Sequence, residues 1–272
     1  MTPAALTRAG MAQAAVALDP AAAMTVAGYT PDAWQVELIR SAATRPQTVV
    51  CTSRQSGKTT SVAALIAAEL VRRSGTRVLC LAPSQRQSSL ILERVGEFLA
   101  PYGMAATRSS RSEILLTNGS VAYAVPASSS TIRGYHSIDL LVLDEAAWIP
   151  EPAYAAVRPM TATVGGRIVA TSTPGGQRGW YWQAWEAGPD GGWYRIEVPC
   201  TRVHRLDGEF LRNEARSVPP SVFRSEYLCS FEDSSDALFL PSVLRRARVL
   251  DDDGADTDVE GYLDFLRTEA RR

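Results

Sequence analysis

The sequence is poor in several features that mark particular classes of protein. It has four cysteines and no CxxC pair, so it indicates reduced thiols and neither a disulfide framework nor a paired-cysteine zinc site. It has no apolar run near the roughly 18 residues that a membrane-spanning helix needs, which argues against a membrane protein. Its 28 basic and 29 acidic residues give a formal net charge of -1. A polyanionic partner would therefore have to be recognised by a local basic surface.

Lysine is the scarcest charged residue. Of the 28 basic residues, all but one are arginine, and the single lysine is Lys58. A coding bias toward arginine explains most of these positions, but such a bias leaves a lysine only where arginine does not serve. A compact ammonium on a flexible stem fits a narrow phosphate cradle better than a planar guanidinium does. The lone lysine therefore marks residues 56–60 as a candidate phosphate site.

Strand-like and helix-like patterns alternate along the chain from Tyr29 onward. Short apolar runs at residues 48–51 and 139–143 predict buried strands, and residues 58–73 carry apolar side chains at helical spacing. With 272 residues, 46% of them hydrophobic, the chain is long enough to bury a large core. The alternation predicts an α/β fold with a mostly parallel central sheet flanked by helices.

A short polar segment lies between a predicted strand and a predicted helix, which is the place of a nucleotide phosphate loop. Backbone amides of such a loop and the positive end of the following helix bind anionic oxygens. Lys58 is expected to reach the terminal phosphates, and the Thr59 hydroxyl to bind Mg²⁺. Thr52 stands where the usual pattern has its first glycine, so the loop is expected to follow another backbone path. The predicted nucleotide-binding residues of this segment are Ser53, Arg54, Gln55, Ser56, Gly57, Lys58, Thr59 and Thr60.

Two further strand ends are expected at the same edge of the sheet. An apolar run places Asp144 and Glu145 at its carboxyl end, where open α/β sheets bind ligands. Asp144 is expected to order the Mg²⁺, and Glu145 to polarise an attacking water. The third strand end carries Thr171, Ser172 and Thr173, whose hydroxyls can hydrogen-bond a γ-phosphate. Taken alone, such a turn is more often an ordinary loop.

Together these segments resemble the ATPase domain of the large terminase subunit, the DNA-packaging motor of tailed double-stranded-DNA bacteriophages. The phosphate loop is similar to the family's variant with an arginine, here Arg54, ahead of the lysine. The Asp-Glu-Ala-Ala at 144–147 and the Thr-Ser-Thr-Pro-Gly-Gly at 171–176 resemble its acidic strand and its coupling motif. Upstream, Asp-Ala-Trp-Gln resembles its adenine-recognition element, with Gln35 as the matching glutamine. The segment around Arg133 resembles one that can supply an arginine finger to a neighbouring subunit.

The resemblance implies a P-loop NTPase of the ASCE type that hydrolyses ATP with Mg²⁺ and drives double-stranded DNA into procapsids. It implies Glu145 as the catalytic carboxylate, with Arg54 in cis, Arg133 in trans, or both, stabilising the transferred phosphoryl group. The implied partners are double-stranded DNA, the portal protein of the procapsid, the small terminase subunit, and further copies of the chain in a ring on the portal. The implied location is the host cytoplasm, with transient residence at the portal.

The resemblance also gives a domain division. Residues 29–239 are expected to form the P-loop ATPase domain, preceded by an Ala-rich arm or helix at 1–28. The family normally continues into an RNase H-like nuclease domain, and residues 240–272 are too few for that fold, so a tail or linker is expected there. DNA cleavage is not predicted, and the nuclease is expected to be a removed domain or a separate polypeptide.

Two alternatives to the packaging motor stay open at this point. A helicase-like or DNA-repair ATPase acting on nucleic acid would need a second motor domain with its own arginine motifs. A non-catalytic nucleotide-binding module would bind ATP without releasing phosphate, and it would tolerate the loss of Glu145.

Overall fold

The computed structural model describes residues 7–128, 132 and 134–232. Within those residues the chain forms nine α-helices and eight β-strands. In chain order they are α1 (Arg8–Leu18), α2 (Ala22–Val26), α3 (Ala33–Thr44), β1 (Gln47–Thr52), α4 (Lys58–Arg72), β2 (Arg77–Ala82), α5 (Gln85–Leu99), β3 (Ala106–Ser109), β4 (Glu113–Leu116), β5 (Val121–Pro126), β6 (Leu140–Asp144), α6 (Glu151–Val157), β7 (Arg167–Ser172), α7 (Gly179–Ala187), β8 (Tyr194–Val198), α8 (Gly208–Ser217) and α9 (Pro220–Leu228).

The strands form one eight-stranded sheet in the order β3-β4-β5-β2-β6-β7-β1-β8. From β5 to β8 every neighbouring pair is parallel, and β3 and β4 add an antiparallel edge. The expected α/β fold with a mostly parallel sheet is therefore confirmed. Because β6, β7 and β1 are adjacent and parallel, their carboxyl ends meet at one end of the sheet. The predicted site residues 53–60, 144–145 and 171–173 lie at or directly after those ends.

Both faces of the sheet are covered. In β1, Val50 packs in the core beneath α4 and α5, whereas Val49 and Cys51 pack in the core beneath α7. The same alternation of faces recurs in β6, where Val142 lies on the first side and Leu141 and Leu143 on the second. The near-continuous apolar runs read from the sequence follow from this burial on two sides.

The N-terminal residues that the structure describes are helical. Helices α1 and α2 contact α4, and Val16 and Met24 are buried in the core on that face of the sheet. Of the two forms expected for residues 1–28, an arm or a helix, the described part takes the helical one. The division at 28 and 239 stays a prediction, and residues 240–272 lie outside the described part of the chain. Among the described helices, none has the length and apolarity that crossing a bilayer requires.

Helices α8 and α9 form a hairpin with a small core of its own, which we call the α8–α9 hairpin (residues 208–228). Its buried side chains are Leu211, Phe223 and Tyr227, packed with Cys200. Tyr227 stacks on Phe223 with ring centroids 5.0 Å apart. The hairpin therefore has a small core distinct from the two cores of the sheet, and Leu206 packs against both this core and the core on the α4 face.

A buried ion-pair network joins α4, β7 and α3 at the end of the sheet opposite the carboxyl ends of β6, β7 and β1. Glu69 on α4 is 1% exposed and lies 2.5 Å from Arg167 Nη2 at the start of β7 and 3.1 Å from Arg72 Nη1. Arg167 Nη1 also donates to the Ala42 carbonyl oxygen of α3 at 2.6 Å. A carboxylate buried this deeply is tolerated because charged donors surround it.

Removing Arg167 tests this network. We expect Arg167→Met to lower the free energy of unfolding by about 3 kcal/mol, because Glu69 stays buried with one cation fewer. Arg108 serves as the matched control, since its pair with Glu113 is largely exposed on the Arg108 side. Arg108→Met should cost less than about 1 kcal/mol. Denaturant unfolding measures both, and equal losses would show that the buried network adds nothing.

Candidate active site

The phosphate loop, residues 53–57, connects β1 to α4 through two left-handed residues. Gln55 has φ 55° and Gly57 has φ 91°, whereas Thr52 remains in the extended strand. The prediction of another backbone path at Thr52 is confirmed, because the left-handed turns fall later in the loop. Two amides anchor the loop, since Ser53 N donates to the Val198 carbonyl at 2.8 Å and Arg54 N donates to the Glu226 carbonyl at 2.8 Å.

The lone lysine and the second acidic residue of the 144–145 pair are in direct contact. Lys58 Nζ lies 2.6 Å from Glu145 Oε1, and the Lys58 side chain is 9% exposed. Glu145 follows β6 in the left-handed conformation, with φ 53° and ψ 45°. A residue with a Cβ rarely adopts this conformation without a local reason. Here it turns the chain at the end of β6 and leaves the carboxylate beside the start of α4.

Asp144 is linked to the neighbouring strand end. Its side chain is almost fully buried, and Thr171 Oγ1 donates to Asp144 Oδ1 at 2.9 Å. Burial raises the pKa of Asp144 above its ordinary value, while the Lys58 ammonium and the Thr171 hydroxyl act in the opposite direction. The Ala147 amide donates to Ser172 Oγ at 3.3 Å, which adds a second link between the ends of β6 and β7.

These residues surround a cavity of about 1130 Å³. The phosphate loop and the first three residues of α4 (residues 53–60) line it, together with Glu145 and Thr173. Asp144, Thr171 and Ser172 lie buried at the adjacent strand ends. The remaining lining residues are Pro83, Gln87, Trp148, Phe210, Glu214, Glu226 and Tyr227. The three strand ends that the sequence placed at one edge of the sheet thus meet at one site.

The donors of the cavity fit a phosphate group and a divalent cation. The Oγ atoms of Ser53 and Ser56 are buried without a hydrogen-bond partner among the described residues. Buried hydroxyls of this kind are normally satisfied, so a ligand oxygen is a fitting partner for them. Mg²⁺ prefers oxygen ligands, which the Thr59 hydroxyl and the Asp144 carboxylate would supply.

Gln35 lies behind the phosphate loop. Its Nε2 donates to Ser61 Oγ at 2.9 Å, and its Oε1 accepts from the Asp32 amide at 2.9 Å. The side chain is 1% exposed, so its amide is engaged inside the protein. The Gln35 side chain therefore links the start of α3 to the start of α4 by hydrogen bonds. Its role in recognising adenine stays a prediction.

Of the two candidate finger arginines, Arg54 lies within the described residues. Arg54 lines the cavity, and its Nε lies 3.1 Å from Glu226 Oε2 of α9. Arg133 lies outside the residues that the structure describes. The choice between an arginine in cis and one in trans therefore stays open.

Sequence reasoning missed Arg205, which lies against the phosphate loop. Its Nη2 donates to the Ser56 carbonyl at 2.5 Å, and its Nη1 lies 2.9 Å from Asp32 Oδ2. A Cβ on Gly57 would stand 2.8 Å from Arg205 Nη2, so the guanidinium occupies the space that the glycine leaves. No local pattern marks Arg205, because its partners are far away in the sequence.

Comparison with known proteins identifies the family. A family model described as "Terminase large subunit, T4likevirus-type, N-terminal" matches residues 49–245. The chain belongs to the terminase large-subunit family. It is 26% identical over 250 residues to the terminase large subunit of Thermus virus P23-45, in an alignment covering 78% of this chain and 51% of that protein. The chain thus spans about half the length of the curated relatives it matches.

Solved structures support the fold. The ATPase domain of the Thermus phage P74-26 large terminase superposes with a TM-score of 0.69 at 23% identity, covering 76% of this chain and 96% of that one. The large terminase of another thermophilic bacteriophage, in complex with ADP, superposes with a TM-score of 0.66 at 10% identity, covering 75% of this chain and 54% of that one. The expected P-loop NTPase fold is therefore confirmed.

The close approach of Arg205 to Gly57 generates a prediction. Gly57→Ala should lower the free energy of unfolding by about 1–2 kcal/mol, because alanine is strained in the left-handed conformation. The loss should be larger still, since the new Cβ displaces Arg205 from Ser56. Gly28→Ala is the matched control, since Gly28 has φ 86° and no described atom within 4 Å of an added Cβ. In an Arg205→Ala background the extra cost of Gly57→Ala should shrink. Denaturant unfolding of Gly57→Ala, Gly28→Ala, Arg205→Ala and the Gly57→Ala, Arg205→Ala double variant measures these losses. If Gly57→Ala costs as much without Arg205 as with it, the contact with Arg205 does not explain the extra loss.

Proposed function

We propose that this chain is the ATP-hydrolysing motor domain of a phage terminase large subunit, powering the movement of double-stranded DNA into procapsids. The observation that carries the proposal is the 2.6 Å contact of Lys58 Nζ with Glu145 Oε1 at the wall of a cavity built by the phosphate loop. Membership of the terminase family supports the task, and the ADP complex of the thermophilic-phage large terminase supports adenine nucleotide as the ligand.

The loop and the strand ends divide the binding of the substrate. Amides at the start of α4 have no partner within the helix and are free to receive phosphate oxygens. The Lys58 ammonium neutralises the terminal phosphates, and the Ser53 and Ser56 hydroxyls add hydrogen bonds. Thr59 and Asp144 would hold Mg²⁺, which when bound supplies positive charge to the β- and γ-phosphate oxygens.

Glu145 is the proposed base for the attacking water. Lys58 and Glu145 form an ion pair in this structure. Phosphate oxygens must therefore replace Glu145 as the partner of Lys58 before Glu145 can act on a water. The freed carboxylate then accepts a hydrogen bond from a water, and takes its proton as the oxygen bonds to the γ-phosphorus. The bond from that phosphorus to the β–γ bridging oxygen breaks, the electron pair stays on ADP, and inorganic phosphate forms.

Arginine and the turn after β7 complete the proposed motor. Arg54, Arg133 or both stabilise the charge on the transferred phosphoryl group. Thr171 donates to Asp144, so a change at the phosphate site is passed to the 171–176 turn through a direct contact. The proposed partners are double-stranded DNA, the portal protein, the small terminase subunit and further copies of the chain in a ring, in the cytoplasm of the host. A nuclease activity is not proposed for this chain.

Two substitutions separate binding from hydrolysis. Glu145→Gln should lower kcat for ATP by at least about 100-fold while nucleotide binding is retained, because only the proton acceptor is lost. Lys58→Ala should abolish detectable nucleotide binding, since the phosphates lose their buried cation. Phosphate release and calorimetric titration with ADP measure the two effects. If Glu145→Gln left turnover intact while Lys58→Ala abolished binding, Glu145 would not be the base.

The DNA substrate distinguishes the motor from the open alternatives. We expect double-stranded DNA to raise the rate of phosphate release, and single-stranded DNA to have a smaller effect. A helicase-like enzyme would respond mainly to single strands, and a non-catalytic module would bind ATP without releasing phosphate. The same assay on Glu145→Gln controls for contaminating ATPases, because DNA should not stimulate that variant.

A further inference from the structure

An arginine from the connection between β8 and α8 binds one backbone carbonyl of the phosphate loop. Arg205 Nη2 donates to the Ser56 carbonyl oxygen at 2.5 Å, and Arg205 Nη1 lies 2.9 Å from Asp32 Oδ2. Asp32 directly precedes α3 and its side chain is 10% exposed, so the carboxylate anchors the guanidinium from a nearly buried position. The Ser56 carbonyl is thereby held on the side of the loop on which Arg205 lies.

The direction of that carbonyl fixes the direction of the next amide. A trans peptide unit is planar, and its C=O and N–H groups point to opposite sides. The described residues contain no cis peptide bond, so the Gly57 N–H points away from Arg205. Ser56 and Gly57 line the cavity, whereas Arg205 and Asp32 are not among its lining residues in the described part of the chain. The Gly57 amide is therefore directed toward the cavity.

The Gly57 amide has no protein acceptor within residues 7–128, 132 and 134–232. The carbonyl of the same residue differs, since it accepts from the Ser61 amide and from the Ser61 hydroxyl, both at 3.1 Å. Backbone amides presented in this way before a helix bind anionic oxygens. The free amide is thus a donor for a phosphate group in the cavity.

A glycine at position 57 leaves two orientations of the Ser56–Gly57 peptide unit accessible. Turning the unit over would change φ of Gly57 from 91° to about −90°, and glycine adopts both values readily. In the reversed orientation the Ser56 carbonyl would face the cavity and repel phosphate oxygens. The loop sequence alone therefore does not decide which group faces the cavity. The hydrogen bond from Arg205 favours the orientation that presents the amide.

We infer that Arg205 is a positioning residue for the phosphate site, which holds the Ser56 carbonyl outside the cavity so that the Gly57 amide can donate to a phosphate oxygen of the nucleotide. This role rests on the proposed function, because it assigns the free amide to that ligand. Arg205 acts on the phosphates through the loop and does not contact them. Asp32 acts one step further back, since it orients the guanidinium.

Loss of Arg205 should weaken the binding of the phosphate chain itself. If the peptide unit can reverse, only a fraction of the molecules presents the amide, and the apparent Kd rises in inverse proportion to that fraction. We expect Arg205→Met to raise the Kd for magnesium tripolyphosphate and for ATPγS with Mg²⁺ by the same factor, about tenfold. Tripolyphosphate has neither base nor ribose, so an equal effect on both ligands assigns the loss to the phosphate site. Calorimetric titration measures the Kd values.

Arg202 provides a matched control from the same connection between β8 and α8. Its Nη1 donates to the Glu197 carbonyl oxygen at 2.5 Å, and its Nη2 lies 3.3 Å from Glu37 Oε2 of α3. Its side chain is 44% exposed, against 47% for Arg205. Arg202 thus makes the same kinds of contact, but neither partner belongs to the phosphate loop. Arg202→Met should leave both Kd values unchanged.

A double-mutant cycle tests the anchor. Asp32→Asn should raise the Kd for magnesium tripolyphosphate about threefold in the wild-type chain, because the guanidinium is held less firmly. In an Arg205→Met background the same substitution should change the Kd little, since no guanidinium is left to orient. Arg205→Lys should restore part of the affinity lost in Arg205→Met, because its ammonium can donate to the Ser56 carbonyl.

The Gly57 amide gives a direct readout of the loop. In the NMR spectrum of protein labelled with ¹⁵N-glycine, the resonance that is lost in Gly57→Ala belongs to Gly57. It should shift in the wild-type chain when magnesium tripolyphosphate is added. Without ligand, its position should change in Arg205→Met and should not change in Arg202→Met. Thermal unfolding verifies the fold of each variant, and Asp32→Asn, which retains the shape of the side chain, carries the test if Arg205→Met does not fold.

The outcomes separate the role of Arg205 from the proposed function. Weaker binding of ATPγS with unchanged binding of tripolyphosphate would mean that Arg205 acts on the base or the ribose, and it would overturn the positioning role. Unchanged binding of both ligands, an equal loss in Arg202→Met, or a Gly57 resonance that ignores tripolyphosphate would overturn it as well. If Lys58→Ala abolishes the binding of both ligands in those experiments, the proposed function stands and only the role of Arg205 is lost. If Lys58→Ala leaves both unchanged, the proposed phosphate site itself is wrong.

Discussion

The contact between Lys58 and Glu145 depends on the whole architecture and gives the site its chemistry. Lys58 is the first residue of α4 and Glu145 follows β6, and these two elements approach because β7 alone separates β6 from β1 in the sheet. The compact ammonium reaches the carboxylate from a nearly buried position, where a pair is less screened than at the surface. A shift of either strand end would leave a charge poorly solvated and unpaired, which is costly. The charges of the site therefore constrain the register of the strands that carry them.

Three cations beside the phosphate loop each have a carboxylate partner. Lys58 pairs with Glu145, Arg54 pairs with Glu226, and Arg205 pairs with Asp32. Such pairing keeps the positive charges ordered, and it makes an anionic ligand compete for them. Under the proposed function, a bound triphosphate displaces Glu145 from Lys58 and so rearranges a side chain at the end of β6. A nucleotide that binds by exchanging ion pairs shifts the populations of the elements to which those pairs are attached.

Sequence patterns identified the parts of the site that are local and missed the parts that depend on tertiary contacts. The apolar run before Asp144 and the loop around Gly57 have physical reasons that act within a few residues, so both could be predicted. Arg205 could not, because it meets Ser56 across 149 positions and no pattern links them. The contact of Glu226 with Arg54 could not be predicted either, because it joins residues far apart in the sequence. The left-handed conformation of Gln55 was also missed. Thr52 in place of a glycine indicated only that the loop does not take its usual backbone path, and not which residue turns the chain.

Helix α4 has different electrostatic surroundings at its two ends, and this difference fits a motor better than uniform stability does. Near its carboxyl end, Glu69 is fully buried and held by Arg167 and Arg72, so that end is fixed to β7 and, through the Ala42 carbonyl, to α3. At its amino end, the ion pair of Lys58 borders a cavity and can be exchanged for phosphate. A helix anchored at one end cannot absorb the exchange by shifting as a whole. Under the proposed function, the exchange therefore bears on the elements that share the cavity wall, which are the turn after β7 and the α8–α9 hairpin. The hairpin shares little core with the sheet, since among the described residues Leu206 alone packs against both its small core and the core on the α4 face.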